Sequence, residues 1–313
     1  MADRKVALVT GASSGIGEAT ARQLAAAGFR VFGGSRTAAA GRGTQVGHVT
    51  LDVRDDTSVR ACVSHVLRAA GRIDVLVNNA GYLCAGAVEE ILVSEAKAQF
   101  ETNYFGVARM TAAVLPGMRE RRAGHIITIS SLTGLAAVPF WGHYSASKFA
   151  VEGLMEALRH EVRPFGIVVA LVEPGAIKTP FYTPPRQAGI DAYAGPRGRV
   201  FAATAELERK APGPQVVART VVSIASDSHP ALRNKVSKQT RRTTLLKGSL
   251  PRQRSRSACG AASSSTPARH PPQLVDRLRR TRPTSPPNPP PRRRRPARNV
   301  AFFERPTPQS AAS

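Results

Sequence analysis

Val6-Ala7-Leu8-Val9-Thr10-Gly11-Ala12-Ser13-Ser14-Gly15-Ile16-Gly17 is the stretch that decides the fold. Four apolar residues without polar alternation read as a strand buried on both faces, the habit of parallel sheets. The pattern over residues 15–27 is that of a helix, and Gly28 stops it. A glycine-rich turn is informative in this setting, between a strand and the helix it opens. Its glycines let the backbone approach a pyrophosphate, while the helix start offers unpaired N–H groups to anionic oxygens. Gly11, Ser13, Ser14, Gly15, Ile16 and Gly17 are therefore the expected phosphate-loop residues, spaced Gly-x-x-x-Gly-x-Gly.

The rest of the first 225 residues repeats the same alternation. Apolar runs at residues 30–34, 48–51, 74–77, 125–129 and 167–172 read as strands that lack polar alternation. Helical patterns occupy residues 59–70, 95–115, 144–163 and 215–226. This order predicts an α/β fold: a Rossmann-like, doubly wound parallel sheet in one domain. Residues 176–213 show no strand and read as one long loop, which in a compact domain is a functional segment or a disordered one. Residues 233–238 stand where a last strand is expected, but Asn234, Lys235 and Ser237 make it a poor one.

The net charge of +24 on 313 residues raises the possibility of a nucleic-acid binder. Its distribution argues otherwise: from Ser226 onward 20 Lys+Arg stand against 3 Asp+Glu, and 14 of the 24 prolines lie there. The domain is accordingly placed at residues 1–239, and residues 240–313 are expected to be a disordered, low-complexity basic tail. Residues 274–280 alone could form a short helix there. No run approaches the roughly 20 apolar residues that span a bilayer. The N-terminus has no hydrophobic leader, so a cytoplasmic location is expected. Cys62, Cys84 and Cys259 fit neither a disulfide framework nor a zinc pattern, and no metal is expected.

A second constellation lies downstream. Tyr144 and Lys148 are four residues apart, one helical turn, and Ser131 precedes Tyr144 by thirteen residues. A free tyrosine, with a pKa near 10, is a poor base at neutral pH. A lysine cation on the same helix face favours the phenolate. Together with Asp52-Val53, Asn78-Asn79-Ala80-Gly81, Asn103, Pro174-Gly175 and Thr179, in this order, the chain resembles the short-chain dehydrogenase/reductase family over about residues 4–225. The segments Pro139-Phe140, Pro164-Phe165-Gly166 and Glu173-Pro174-Gly175 look most like its hydroxysteroid and retinol dehydrogenase branch.

The resemblance implies reversible hydride transfer between a secondary alcohol and a ketone. Tyr144 would be the acid/base, Lys148 its electrostatic partner and a ligand of the nicotinamide ribose, and Ser131 a hydrogen-bond donor to the substrate oxygen. Ser130 is the competing serine, but the thirteen-residue spacing selects Ser131. Asn103 would hold a water for proton relay. Asn79, Ala80 and Gly81 would line the cofactor, Asn79 alternatively only cross-linking strands. Asp52 would accept from the adenine amine, Val53 would pack its ring, and Pro174, Gly175, Ile177 and Thr179 would flank the nicotinamide carboxamide.

Cofactor choice turns on the end of the second strand. Ser35-Arg36 offers no carboxylate to a ribose 2′-hydroxyl and a guanidinium to a 2′-phosphate, so NADP(H) is expected over NAD(H). The resemblance implies a substrate lid after Thr179, here with Phe181, Tyr182, Tyr193 and Phe201; with Phe140 and Trp141 ahead of Tyr144, these groups suggest a lipophilic small-molecule substrate. Family likeness implies a homodimer or homotetramer packed through the helices carrying Asn103 and Tyr144. The basic tail admits three readings: a nucleic-acid or anionic-membrane binder, an inert extension, or the product of a frameshift that impairs the last strand and the pocket. The third is favoured. A cofactor-binding regulator without turnover is the competing class, and the complete Ser-Tyr-Lys set argues against it.

Overall fold

The computed structural model describes residues 4–37, 45–181 and 189–236. Tyr182, Ser237, Lys238, Cys259, the 239/240 boundary and the whole basic tail lie outside the described residues. Seven parallel strands form one sheet in the order β3-β2-β1-β4-β5-β6-β7. They are β1 (Val6–Thr10), β2 (Arg30–Ser35), β3 (Val46–Thr50), β4 (Val75–Asn78), β5 (Gly124–Ile129), β6 (Ile167–Glu173) and β7 (Arg233–Lys235). The order reverses between β1 and β4, and a crevice opens there beyond the carboxyl ends of the strands.

The alternation of side chains along each strand divides the core in two. Val6 and Leu8 of β1 face a cluster with α2 (Asp56–Ala70), α4 (Gly106–Arg121) and α5 (Gly142–Val162). Ala7 and Val9 face the opposite cluster, packed with α1 (Gly15–Ala26) and α7 (Gln215–Ser226). Helices on both faces make the inner strands continuously apolar, and β1, β4 and nearly all of β5 and β6 are buried. No helix among the described residues is long and apolar enough to cross a membrane.

Four local expectations need correction. β3 starts two residues before the expected 48 and is mostly exposed, because as the edge strand it has a neighbour on one side only. α2 starts at Asp56 rather than 59, since the Asp55 carboxylate caps it by accepting from Thr57 N at 2.8 Å. The helix expected over 95–115 is α3 (Val93–Phe100) and α4, joined by a wider π turn at Glu101–Phe105 that contains Asn103. The expected loop over 176–213 contains a further helix, α6 (Ala194–Arg209). That helix carries Gly195, Pro196 and Gly198 near its start and buries no residue, so neither propensity nor an apolar stripe announces it.

The poor last strand does pair. β7 is three residues long and runs parallel to β6, with Leu171, Val172 and Glu173 opposite Arg233, Asn234 and Lys235.

Candidate active site

A cavity of about 960 Å³ occupies the crevice at the carboxyl end of the sheet. Of the site residues expected from sequence, all but Gly17 and Asn103 line it. Its floor is a junction between the loops after β1 and β4. The Thr10 hydroxyl accepts from the N–H groups of Asn79 and Ala80, each at 3.0 Å. In return, Asn79 Nδ2 donates to the carbonyls of Thr10 at 2.9 Å and Gly11 at 3.1 Å. Asn79 thus cross-links strands and lines the cavity at once.

The junction leaves no room for side chains. Gly11 sits at φ +65°, and a Cβ there would meet the Ala80 Cα at 2.9 Å. A Cβ on Gly17 would come within 2.2 Å of the Gly11 carbonyl oxygen. Gly17 therefore shapes the loop from behind rather than facing the cavity. The first turn of α1 has no side-chain cap at Ser14, and Gly15 and Ile16 open into the cavity. Uncapped N–H groups at a helix start over a glycine cradle fit a pyrophosphate.

At the β2–β3 end, the Asp52 carboxylate is gripped by Arg54 through Nε at 2.9 Å and Nη2 at 2.6 Å. That bond is the chief reason its pKa falls to about 2. Arg54 lines the same cavity and was not foreseen, although it stands two residues after Asp52. Arg36 also lines it, and its charge adds to the lowering at Asp52. Ser35 Oγ donates to the Thr37 carbonyl, as does His48 Nε2 at 3.0 Å, which fixes the turn that presents Arg36.

The other end holds the groups that the sequence marks as catalytic candidates. Ser131 Oγ accepts from Thr133 N at 3.1 Å and so caps a short 3-10 turn over Leu132–Gly134. Tyr144, 5% exposed, lies in the first turn of α5, and Lys148 follows one turn later with Nζ 5.8 Å from the phenol ring centroid. Lys148 Nζ donates to the Ile129 carbonyl at 2.8 Å, which anchors it to β5. Burial pushes the Tyr144 phenol up to about 12, while the hydroxyls of Ser131 and Thr133 pull the other way. Burial lowers the Lys148 ammonium to about 8, and the Glu152 carboxylate opposes that fall.

Both neighbouring serines line the cavity. Ser131 sits beside the phenol, whereas the buried Ser130 has its Oγ 2.9 Å from where a Cβ on Gly134 would stand. Thr133, the third hydroxyl, was not foreseen; its only sequence signal is its place two residues after Ser131.

Asn103 is fully buried behind the cavity. Its Oδ1 accepts from Tyr82 N at 3.0 Å, and its Nδ2 donates to the Tyr82 carbonyl at 3.0 Å and to Ser147 Oγ at 3.1 Å. The side-chain amide ties the loop after β4 to α5.

The apolar side of the cavity is formed by Leu83, Val138, Trp141, Phe181 and Leu207, with Thr204 and Glu208 of α6. Trp141 and Phe181 stand edge-on to Tyr144, with ring centroids 6.3 and 5.9 Å away. Phe201 packs against Leu83, Ala85 and Tyr144, and Phe140 and Tyr193 stack behind it.

Comparison with known proteins agrees with this geometry. Residues 5–188 match the family described as short chain dehydrogenase. The chain is 41% identical over 236 residues to a 3-ketodihydrosphingosine reductase of Bacteroides thetaiotaomicron, covering 74% of this chain and 87% of that one. It is 35% identical over 272 residues to human retinol dehydrogenase 8, covering 78% and 85%. A crystal structure of a short-chain dehydrogenase from Streptomyces avermitilis superposes with a TM-score of 0.72 at 35% identity, covering 85% of this chain and all of that one. A glycine cradle at the sheet's switch point, a tyrosine and lysine one turn apart beside a capping serine, and these likenesses point one way: the chain belongs to the short-chain dehydrogenase/reductase family, NAD(P)-dependent oxidoreductases acting on CH–OH and keto groups.

Proposed function

We propose that the protein interconverts a lipophilic ketone and its secondary alcohol with NADP(H), using Tyr144 as acid and base. The observation that carries this reading is the Tyr144 phenol, buried in one cavity wall between Ser131 and the Lys148 ammonium. The nicotinamide supplies the hydride when bound, and the residues present suit it: an uncapped helix start for the pyrophosphate, Arg36 and Arg54 at the far end for a phosphate-bearing ribose.

In reduction, Ser131 Oγ–H donates to the carbonyl oxygen and polarises it. The Tyr144 phenol then gives its proton to that oxygen as negative charge develops. Burial keeps the phenol protonated at neutral pH, which suits this direction. In the reverse direction the phenolate takes the alcohol proton, and the Lys148 charge is what makes the phenolate accessible. Asp52 is committed to Arg54, so any adenine contact it makes uses the lone pairs that remain. Asn103 is assigned to holding the 79–82 loop, with any relay water reached through it.

Lipophilicity is supported by the apolar wall and by relatives whose names specify a ketosphingoid base and a retinol. Phe105 and Phe149, large and exposed on the helical turns flanking the site, support assembly into a homodimer or homotetramer through α4 and α5.

The test follows NADPH and NADH absorbance with cyclohexanone, acetophenone and long-chain methyl ketones. NADPH is expected to be preferred, and Tyr144→Phe to lower kcat roughly 10²- to 10⁴-fold. Turnover untouched by that change would remove the mechanism. A folded protein that binds NADPH but turns over no carbonyl would favour the regulator reading. Arg36→Ala is expected to raise the KM for NADPH about tenfold and leave that for NADH unchanged.

A further inference from the structure

Beneath the site a row of charges continues past the two residues that the proposed reaction uses. Tyr144, Lys148, Glu152 and the exposed Glu156 recur every four residues and so share one face of α5. Arg233 of β7 closes this row from the other side, with Nε 2.9 Å from Glu152 Oε2 and Nη2 2.9 Å from Glu156 Oε2. Its Nε is also 3.7 Å from Glu173 Oε1, at the end of β6. Glu152 is 4% exposed and Glu173 is fully buried. Glu152 Oε1 and both Glu173 oxygens have no hydrogen-bond partner, and neither has the Ser130 hydroxyl nearby.

Burial first, then the Glu152 charge, raises the Glu173 carboxyl to about 7, while Lys235 and Arg233 oppose the rise. The close ion pairs of Arg233 are with Glu152 and Glu156. A buried anion held by a cation from the next strand, one helical turn below a buried lysine, has a direct electrostatic consequence for that lysine.

We propose that Glu152 is a positioning residue of the reaction: held in place by its ion pair with Arg233, it supports the Lys148 charge beneath Tyr144, so that the last strand of the sheet helps set the acidity of the phenol. This rests on the reading of Tyr144 as the acid/base. The charged groups facing Lys148 are Tyr144 and Glu152, and those facing Glu152 are Arg233, Glu156 and Glu173, with Lys235 beyond. Apart from these, Lys148 has the Ile129 carbonyl, which holds the ammonium in place without supplying a full charge.

The test reads the phenol itself. The full-length protein with saturating NADP+ is titrated by tyrosinate ultraviolet absorbance, and the Tyr144→Phe protein is subtracted to isolate Tyr144. Glu152→Gln is expected to move that titration upward by on the order of half to one pH unit, because Lys148 loses its anion and stabilises the phenolate less. Glu152→Asp, which keeps the charge, is expected to restore most of the position. If Glu152→Gln does not fold, Arg233→Met gives a second route, since it removes the guanidinium that holds the Glu152 carboxylate in place below Lys148, and the titration again moves up. A Tyr144 titration unmoved by Glu152→Gln, or by Arg233→Met where the first does not fold, would overturn the proposal. So would a shift of equal size in Glu152→Gln and Glu152→Asp, which would mark a purely structural effect. Carbonyl reduction measured alongside separates the two levels. Turnover abolished in Tyr144→Phe together with an unmoved titration leaves the reaction standing and removes only the role of Glu152.

Discussion

One wall of the cavity is built from the ends of buried strands and the first turns of α1 and α5; the other is α6, which buries no residue at all. The first is held by backbone pairing and by side chains locked between loops: Asn79 onto Thr10 and Gly11, Asn103 onto Tyr82, Lys148 onto Ile129. The second is held by a few side chains. Glu90 accepts from Ala87 N at 2.7 Å, from Ile190 N at 2.8 Å and from Arg197 of α6, while Tyr193 donates to Glu89. On the proposed reading, chemistry that needs atoms fixed within fractions of an ångström sits on the first wall, and substrate contact sits on the second.

The largest effect is expected from breaking the first wall. Gly17→Ala would drive a methyl to 2.2 Å from the Gly11 carbonyl oxygen and 2.4 Å from Asn79 Nδ2. Neither neighbour can retreat, because Asn79 is already bonded to two carbonyls. Overpacking of this kind costs about 1–3 kcal/mol, or roughly 3–10 °C in melting temperature for a domain of this size. Calorimetry would measure the drop, and NADPH affinity measured by fluorescence should weaken at least tenfold with it. A stable variant with normal cofactor affinity would show that the junction can yield.

A second effect separates the two directions of reaction by pH. With the phenol at about 12 before cofactor binds, reduction has its proton donor throughout the neutral range. Its kcat should stay level up to about pH 8 and decline above, as the Lys148 ammonium is lost. Oxidation needs the phenolate and should rise with pH up to about 8, where reduction is still level, and lose that gain above it as the Lys148 charge goes. Parallel profiles in the two directions would speak against Tyr144 exchanging the proton.

The two walls also differ in how plainly they were written in the sequence. Gly11, Gly15, Tyr144 and Lys148 were legible because each depends on local spacing: a glycine where the loop must turn, a cation one turn from a phenol. Arg54 and Thr133 were not, since their importance arises from what stands opposite them in space. The role of Asn103 depends on a π turn, which has no propensity signal of its own. α6 was hidden because its glycines and proline favour a loop, and the contacts that hold it reach back about a hundred residues to Glu89 and Glu90. β7 read as a poor strand because Asn234, Lys235 and Ser237 stand where apolar residues would be expected, and the ion pairs that Arg233 makes with α5 have no local signal.

The smallest effect is expected at the second wall, and it tests whether that wall is independent of the first. Arg197→Met removes the one charged tie between α6 and Glu90, whose carboxylate keeps the N–H groups of Ala87 and Ile190. The Arg197 side chain is 18% exposed and that of Glu90 only 6%, so the pair exceeds an open surface bridge but falls short of a buried one. A loss of about 1 kcal/mol in the hold on α6 corresponds to roughly fivefold in KM for the carbonyl. The kcat should hold, because Ser131, Tyr144 and Lys148 take no support from Arg197. The melting temperature should move by no more than about 2–4 °C, since α6 contributes no buried residue to the core. A kcat that fell with KM would mean that the exposed helix also sets the geometry of Tyr144, through Phe201 packed against it, and the division between the walls would have to be redrawn.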